Sequence, residues 1–408
     1  MRRWSKILYK KRPFAACMEN IGWFRNSIIY QIFIDRFAGF QSTEHWEHPV
    51  FIGGNLRGII DKLPYLTDLG VNTLWISPFY QTSAYHGYHV TDFYQVDPHF
   101  GMIEDVRELI HVVHQNQMHI LADFVPNHCS NQHPFFKDAQ LTRNSLYKDW
   151  FLFTKWPDEY LCFLRVKDLP KLNLENPATR DHIVNAVKHW LSLGFDGFRL
   201  DHVIGPSRTF WNYFVSVIKK EYPNAVLIGE AWMKGVKRQE LRTLRIPNKY
   251  FKWLAGAAPE SLFREYIGVL DGVLDFKVQE FIQRYVTIPS VSEERLILQL
   301  NHHYSNYPSS YFLPTFLDNH DMDRFLFRCG NDIEQLKAAA SIQFSLDQPA
   351  IIYYGTEAGM TQKQSLWNAP SNGDLLARQP MNWNEQNIEL KLFYKNLIHK
   401  KIERIKVS

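Results

Sequence analysis

The chain has 408 residues, 45% of them apolar, and a formal net charge of +4. That length suits one large domain, or a barrel with an insertion, with room for a sizeable core. The near-neutral charge balance gives no reason to expect nucleic acid or an acidic membrane as a partner.

Short apolar runs alternate with helix-like segments. Residues 27–35 are rich in β-branched side chains and read as a first strand. Residues 55–69 place Leu56, Ile59, Ile60, Leu63, Leu66 and Leu69 at helical spacing, and Gly70 stops them. Residues 71–77 read as strand two, 103–117 as a helix and 119–125 as strand three. The rhythm breaks over residues 129–176, which are rich in Asn, Lys, Asp and aromatics without a sustained period. Pro177 suits the first turn of the next helix. Strand four covers 195–201, a helix 207–221, strand five 225–230 and a less regular sixth strand 269–277. Strand seven covers 311–318, strand eight 348–355 and a closing helix 386–405.

This order predicts an α/β fold, a (β/α)8 TIM barrel with a short lobe inserted after strand three. Residues 1–26 read as an N-terminal extension, 27–128 and 177–408 as the barrel, and 129–176 as the inserted lobe. A doubly wound open sheet is the alternative, but no GxGxxG follows the first strand and no GxxxxGK[ST] occurs. Cys17, Cys129, Cys162 and Cys329 are widely separated, without ligand-like spacing, so a reducing compartment is the default. The basic start carries only a three-residue apolar patch, Ile7 to Tyr9, too short for a signal sequence, and no run approaches a membrane span. The expectation is a soluble, cytoplasmic protein.

Four strand ends carry acids: Asp123-Phe-Val-Pro-Asn-His128, Gly197-Phe-Arg-Leu-Asp201, Gly229-Glu230-Ala-Trp232 and Leu317-Asp-Asn-His-Asp321. Carboxylates from parallel strand ends can converge on one pocket, and two held about 5–5.5 Å apart are what retaining cleavage of a glycosidic bond requires. Asp201 and Glu230 end consecutive strands, which lie roughly 4.8 Å apart. Arg199, two residues before Asp201, points to the same side of its strand and would keep Asp201 ionised. A nearby negative Asp201 and partial burial would raise the pKa of Glu230 and keep it protonated as a general acid. A strand-end carboxylate is often only a helix cap, and for Asp123 alone that bland role leads.

With their flanks, these motifs resemble the α-amylase family of glycoside hydrolases (family 13), over roughly residues 20–405. The segments at 70–79, 169–173 and 354–359 match the family pattern too. The resemblance implies that Asp201 is the nucleophile, Glu230 the general acid/base, and Asp321 the third carboxylate, which holds sugar hydroxyls. It implies substrate binding by Arg199, His128, His320 and Tyr88, the last by stacking on the sugar. It makes Asp123 a structural acid near Arg199. Trp232, just past Glu230, suits a wall of the leaving-group side, with core packing as the other reading. Glu357 reads as structural.

Three departures bear on substrate and cofactor. Typical calcium-dependent α-amylases carry a Lys-His pair three and four residues after the nucleophile, with the histidine backbone on calcium. Those positions are Ile204 and Gly205, and the residues directly after Asp201 are His202 and Val203. The segment Leu169-Pro-Lys-Leu-Asn173 resembles neopullulanase and cyclomaltodextrinase-like enzymes instead. Asn127 could give calcium one oxygen, far fewer than it takes, so no cofactor is expected to be required. The chain also stops after the presumed eighth helix, so neither a C-terminal β-sandwich nor an N-terminal starch-binding domain is expected.

The expected activity is retaining hydrolysis of α-glucosidic bonds, mainly α-1,4, in maltodextrins or related α-glucan oligosaccharides. Glucan transglycosylation uses the same carboxylates and is the alternative, with an inactive sugar-binding barrel as the non-enzyme reading. A metal-dependent hydrolase loses ground because no HxH or HExxH occurs.

Overall fold

Short runs of β-branched and aromatic residues, buried on both faces, form the central strands. The computed structural model describes residues 21–232, 260–369 and 372–407. In chain order the strands are β1 (Ile28–Ile32), β2 (Thr73–Ile76), β3 (Tyr80–Thr82), β4 (Val90–Val96), β5 (His119–Phe124) and β6 (Phe153–Lys155). They continue as β7 (Glu159–Tyr160), β8 (Gly197–Leu200), β9 (Val226–Gly229), β10 (Gly272–Val273) and β11 (Ala350–Tyr353). The chain divides into two compact units: Met1–Ile76, Glu108–Ile120 and Leu274–Ser408 form the first, Ser77–Arg107 and Leu121–Val273 the second.

In the first unit β1 pairs in parallel with β2 on one side and β11 on the other. All the residues of these three strands are buried, the pattern of parallel strands covered on both faces. The helix expected over 55–69 is two helices, Leu56–Asp61 and Leu63–Leu69. Pro64 has no N–H to continue the ladder, and Lys62 closes the first helix by donating to Gly58, Ile59 and Ile60 carbonyls. Asn55 caps the start through Gly58 N–H, and Gly70 ends the second helix in the left-handed conformation, as its position suggested. Strand seven is reduced to one parallel bridge, Thr315 to Ala350. Pro314 interrupts the donors there, so only Thr315 exchanges bonds with Pro349 and Ile351. Glu357 is buried and accepts from the Tyr30 and Tyr65 hydroxyls at 2.8 and 2.7 Å, which fits its structural assignment.

In the second unit β10, β9, β8 and β5 lie side by side in that order, all parallel. The sixth strand is only two residues long, because the polypeptide runs on to a helix at Phe276–Thr287 capped by Asp275. An antiparallel pair, β3 with β4, was not anticipated from the sequence; the turn between them carries Tyr88. Residues 129–176 hold the helix Pro134–Leu141 and the small β6–β7 pair. Asn176 and Ser207 cap the helices Pro177–Ser192 and Arg208–Glu221 by accepting from their first-turn N–H groups. Among the described residues no helix is long and apolar enough to cross a membrane. The N-terminal extension up to residue 20, Cys17 included, lies outside the described residues.

One glycine sets the spacing on which the acid-bearing strands depend. Gly197 begins β8 at φ +156°, and a Cβ there would lie 2.1 Å from the carbonyl oxygen of Val226 on β9. Neither backbone can yield without breaking the ladder. Gly197→Ala should therefore lower stability by about 1–3 kcal/mol. The check is a lower urea midpoint; an unchanged midpoint would show that β8 and β9 separate without cost.

Candidate active site

The ends of β5, β8 and β9 bring three acids to one arginine. Asp123 and Arg199 are register partners across β5 and β8. The ladder continues one step beyond the strands, with Asp201 N donating to Phe124 O at 2.8 Å and Glu230 N to Leu200 O at 2.9 Å. These bonds hold Asp201 and Glu230 at adjacent strand ends, as their positions after apolar runs implied.

Arg199 Nη1 donates to Asp123 Oδ1 at 2.7 Å and to Asp201 Oδ1 at 2.8 Å, while Nη2 lies 2.5 Å from Glu230 Oε1. All four side chains are buried. Burial works against the guanidinium charge, but Asp123, Glu230, Tyr88 and Asp201 outweigh it and raise its pKa well above the ordinary value. The sequence reading gave Arg199 to Asp201; the structure has Arg199 shared with Glu230 as well. The planar fork presents two nitrogens in one plane and so reaches both strand-end carboxylates. Glu230 Oε2 also accepts from the backbone N–H of His202 at 3.3 Å. Tyr88 donates its hydroxyl to Asp123 Oδ2 at 2.9 Å, so the turn between β3 and β4 is tied to the same cluster.

The polypeptide following Asp201 is held by its carbonyls. Val203 O accepts from Trp211 Nε1 and from the Tyr266 hydroxyl, both at 2.9 Å. His202 adopts a left-handed φ of 45°, and its pKa is pushed well below the ordinary value by burial, then by His128, Lys171 and Arg199. His128 packs its ring against Phe163 at 4.7 Å and accepts from Asn127 Nδ2 at Nδ1, 3.3 Å away. Burial, followed by the His89 and Lys171 charges, lowers the His128 pKa to about 3. Trp232, partly buried, ends the described stretch before residues 233–259.

The first unit contains the fourth acidic segment. Gln31 Nε2 lies 2.8 Å from His320 Nδ1, and an amide nitrogen can only donate, so that ring nitrogen accepts. The other ring nitrogen, Nε2, then carries the proton and faces Asp321 Oδ2 at 2.9 Å. Asp321 Oδ1 accepts from Arg378 Nη2 at 2.8 Å, and Arg378 Nε donates to His320 O at 2.9 Å. Arg378 also pairs with Asp374, and its guanidinium lies over the Phe33 ring. Arg378 is a functional candidate the sequence reading missed. The available signal was the Asp374–Arg378 spacing of one helical turn, but no strand end or motif drew attention to it. Asp318, at the start of the same segment, accepts from Phe325 N and Thr356 Oγ1 and caps structure instead.

The depressed His128 pKa has a signed consequence. The folded protein keeps the ring neutral while the unfolded chain protonates near 6.5, so stability is complete above that pH and is lost as pH falls toward about 3. His128→Gln should flatten this acid limb in urea titrations between neutrality and acid. Equal slopes for parent and variant would reject the assignment.

Residues 31–390 match the family described as "Alpha amylase, catalytic domain". The chain is 33% identical over 381 residues to "Alpha-amylase 2" of Dictyoglomus thermophilum, covering 92% of this chain and 63% of that protein. It is 31% identical over 400 residues to "Neopullulanase 2" of Thermoactinomyces vulgaris, covering 92% and 62%. Among solved structures it matches cyclic alpha-maltosyl-(1→6)-maltose hydrolase from Arthrobacter globiformis, in complex with that cyclic sugar. That match has a TM-score of 0.79 at 26% identity and covers 93% of this chain and 83% of the other. The chain spans just under two thirds of the length of the two curated relatives. The chain belongs to the α-amylase family, and its fold is the (β/α)8 barrel of that family's catalytic domain.

Proposed function

We propose that the protein is a retaining glycoside hydrolase that cleaves α-glucosidic bonds, mainly α-1,4, in soluble α-glucan oligosaccharides. The observation that carries the reading is the pairing of Asp201 and Glu230 on the two forks of Arg199 at adjacent strand ends. The names of the relatives, which include a neopullulanase and a hydrolase of a cyclic maltosyl sugar, support linear and cyclic α-glucans as the substrate class. Ile204 and Gly205, in place of a Lys-His pair, support short soluble substrates over starch.

In this mechanism Glu230 protonates the glycosidic oxygen as Asp201 attacks the anomeric carbon and the C–O bond to the leaving sugar breaks. Glu230, now a carboxylate, takes a proton from water, and that water displaces Asp201 from the glycosyl-enzyme. Arg199 stabilises both carboxylates in the resting arrangement, which opposes protonation of Glu230. Substrate in the cleft displaces solvent and leaves Asp201 and Asp123 to satisfy the guanidinium, so the proton settles on Glu230. Asp321 and His320 have the family resemblance's role of gripping sugar hydroxyls, with Arg378 positioning Asp321. His128 binds sugar through a neutral ring, Tyr88 forms a stacking platform and Trp232 flanks the leaving group. We place the activity in the cytoplasm, because Cys129, Cys162 and Cys329 are free, buried thiols that suit a reducing compartment.

Glu230→Gln and Asp201→Asn should each lower release of reducing sugar from maltooligosaccharides by roughly 10²–10⁴-fold or more, with the fold retained by circular dichroism. Undiminished activity in either variant would remove that residue from its role. The anomer released, followed by NMR on maltodextrin, pullulan and cyclodextrin, tests the rest. A product of retained configuration supports the double displacement, an inverted one defeats it. Products longer than the substrate would replace hydrolysis with transglycosylation.

A further inference from the structure

Some α-amylase relatives hold calcium at the loop following the nucleophile, where the backbone carbonyl four residues on and the Asn of the first acidic segment supply oxygens. In this chain those groups are Gly205 O and Asn127 Oδ1. The two residues are neighbours: a Cβ on Gly205 would fall 2.0 Å from Asn127 Oδ1. Their surroundings do not fit calcium, which takes six to eight oxygens, carboxylates prominent among them. Both oxygens are neutral, and the neighbouring side chains are the imidazoles of His128 and His202. Among the described residues no group of three or more His, Cys, Asp or Glu is arranged to hold a metal.

A different cation reaches this position. Lys171 is 95% buried, and its Nζ donates to Gly205 O at 2.8 Å. Its backbone is fixed by neighbours on both sides. Lys171 forms an antiparallel bridge with His128, and its N–H donates to Leu161 O at 2.9 Å. Leu172 N donates to Asn127 O at 3.0 Å and Cys129 N to Pro170 O at 3.2 Å. The segment at 169–173 is thus laced to the polypeptide carrying Asn127, while its one long side chain crosses to the loop after Asp201. Among the described residues the fully buried Asn127 Oδ1 accepts no hydrogen bond, so the ammonium is held by Gly205 O and not by the amide oxygen. The charge of Lys171 is felt at the rings of both His128 and His202, and it helps keep both neutral. Glycine at 205 is required for this approach, since any side chain there would strike Asn127.

We propose that the Lys171 ammonium is a covalently attached cation that does the structural work of a bound calcium. It ties the segment at 169–173 to the loop that carries Asp201. Calcium dependence is thereby designed out of the chain, and the lysine in Leu169-Pro-Lys-Leu-Asn173 is a cation-site residue. This inference stands on the geometry around Gly205 and does not depend on which glycosidic bond is cleaved.

The test is thermal unfolding of the full chain in EDTA, in CaCl2 and in MgCl2, for the parent, Lys171→Met, Lys171→Arg and Lys171→Asp. The parent should melt at the same temperature in all three. Lys171→Met should melt about 3–6 °C lower, and Lys171→Arg, which keeps the charge, should recover part of the loss. Lys171→Asp, which restores an oxygen donor, should be stabilised by CaCl2 and not by MgCl2; folding only in CaCl2 counts as the same result. A parent that loses stability in EDTA overturns the proposal, because a metal is then present. Parental melting of Lys171→Met, or a Lys171→Asp variant indifferent to calcium, overturns it as well. Should Lys171→Met fail to fold, the parent in EDTA and Lys171→Arg still decide.

Discussion

One buried guanidinium governs the second unit. Arg199 is shared by Asp123, Asp201 and Glu230, three carboxylates that could not coexist out of water without it. The sharing imposes conditions on everything around it. Asp123 must be opposite Arg199 in register, which requires β5 and β8 to be parallel neighbours. Asp201 must lie two residues on, so that strand alternation returns it to the same face. Glu230 must follow β9 by one residue, and β9 must be the next strand over. Gly197 is what lets β9 approach. The local chemistry is therefore a demand on topology, and the parallel order β10–β9–β8–β5 meets it.

The same interaction bounds the chemistry. A single cation favours both carboxylates as anions, so Arg199 alone cannot supply the nucleophile and the acid of the proposed mechanism. The asymmetry has to come from elsewhere. Asp201 shares its nitrogen, Nη1, with Asp123, whereas Glu230 meets the other nitrogen and a longer contact to the His202 N–H. Asp123 is further held by the Tyr88 hydroxyl. Loss of the Glu230 contact leaves the guanidinium with two close partners; loss of the Asp201 contact would break into the Asp123 arrangement as well. The two strand-end carboxylates thus differ in how their contacts to Arg199 are shared.

Much of this was legible in the sequence because each acid terminates an apolar run. Asp123, Asp201 and Glu230 could be placed at strand ends, and Arg199 on the face of Asp201, from alternation alone. What was not legible depends on chain segments returning from a distance. Arg378 reaches Asp321 from a loop 57 positions later, with no periodicity to announce it. The antiparallel pair β3–β4 is half-exposed and irregular in register, so no clean alternation marks it. Strand seven failed as a strand because Pro314 sits inside an otherwise convincing apolar run. Asn173, in the segment that resembles neopullulanases, donates its side-chain amide to the Asp149 carbonyl and its backbone N–H to Trp150 O, contacts that spacing alone does not announce.

Lys171 and Arg199 together show how this chain handles buried charge. Three carboxylates face one guanidinium, and that imbalance favours a second positive charge nearby. Both cations act on the ring of His202, which sits between Asp201 and Gly205 in sequence. A mobile metal could supply that charge, but it would need several anionic oxygens of its own, each adding to the negative burden already present. An ammonium satisfied by a backbone carbonyl adds positive charge without importing carboxylates. Its position is set by backbone bonds on either side of residue 171, so no ion concentration has to be maintained for the loop to hold its shape. The charge arithmetic around Arg199 and the neutral oxygens around Gly205 therefore lead to the same solution, a cation carried by the polypeptide itself.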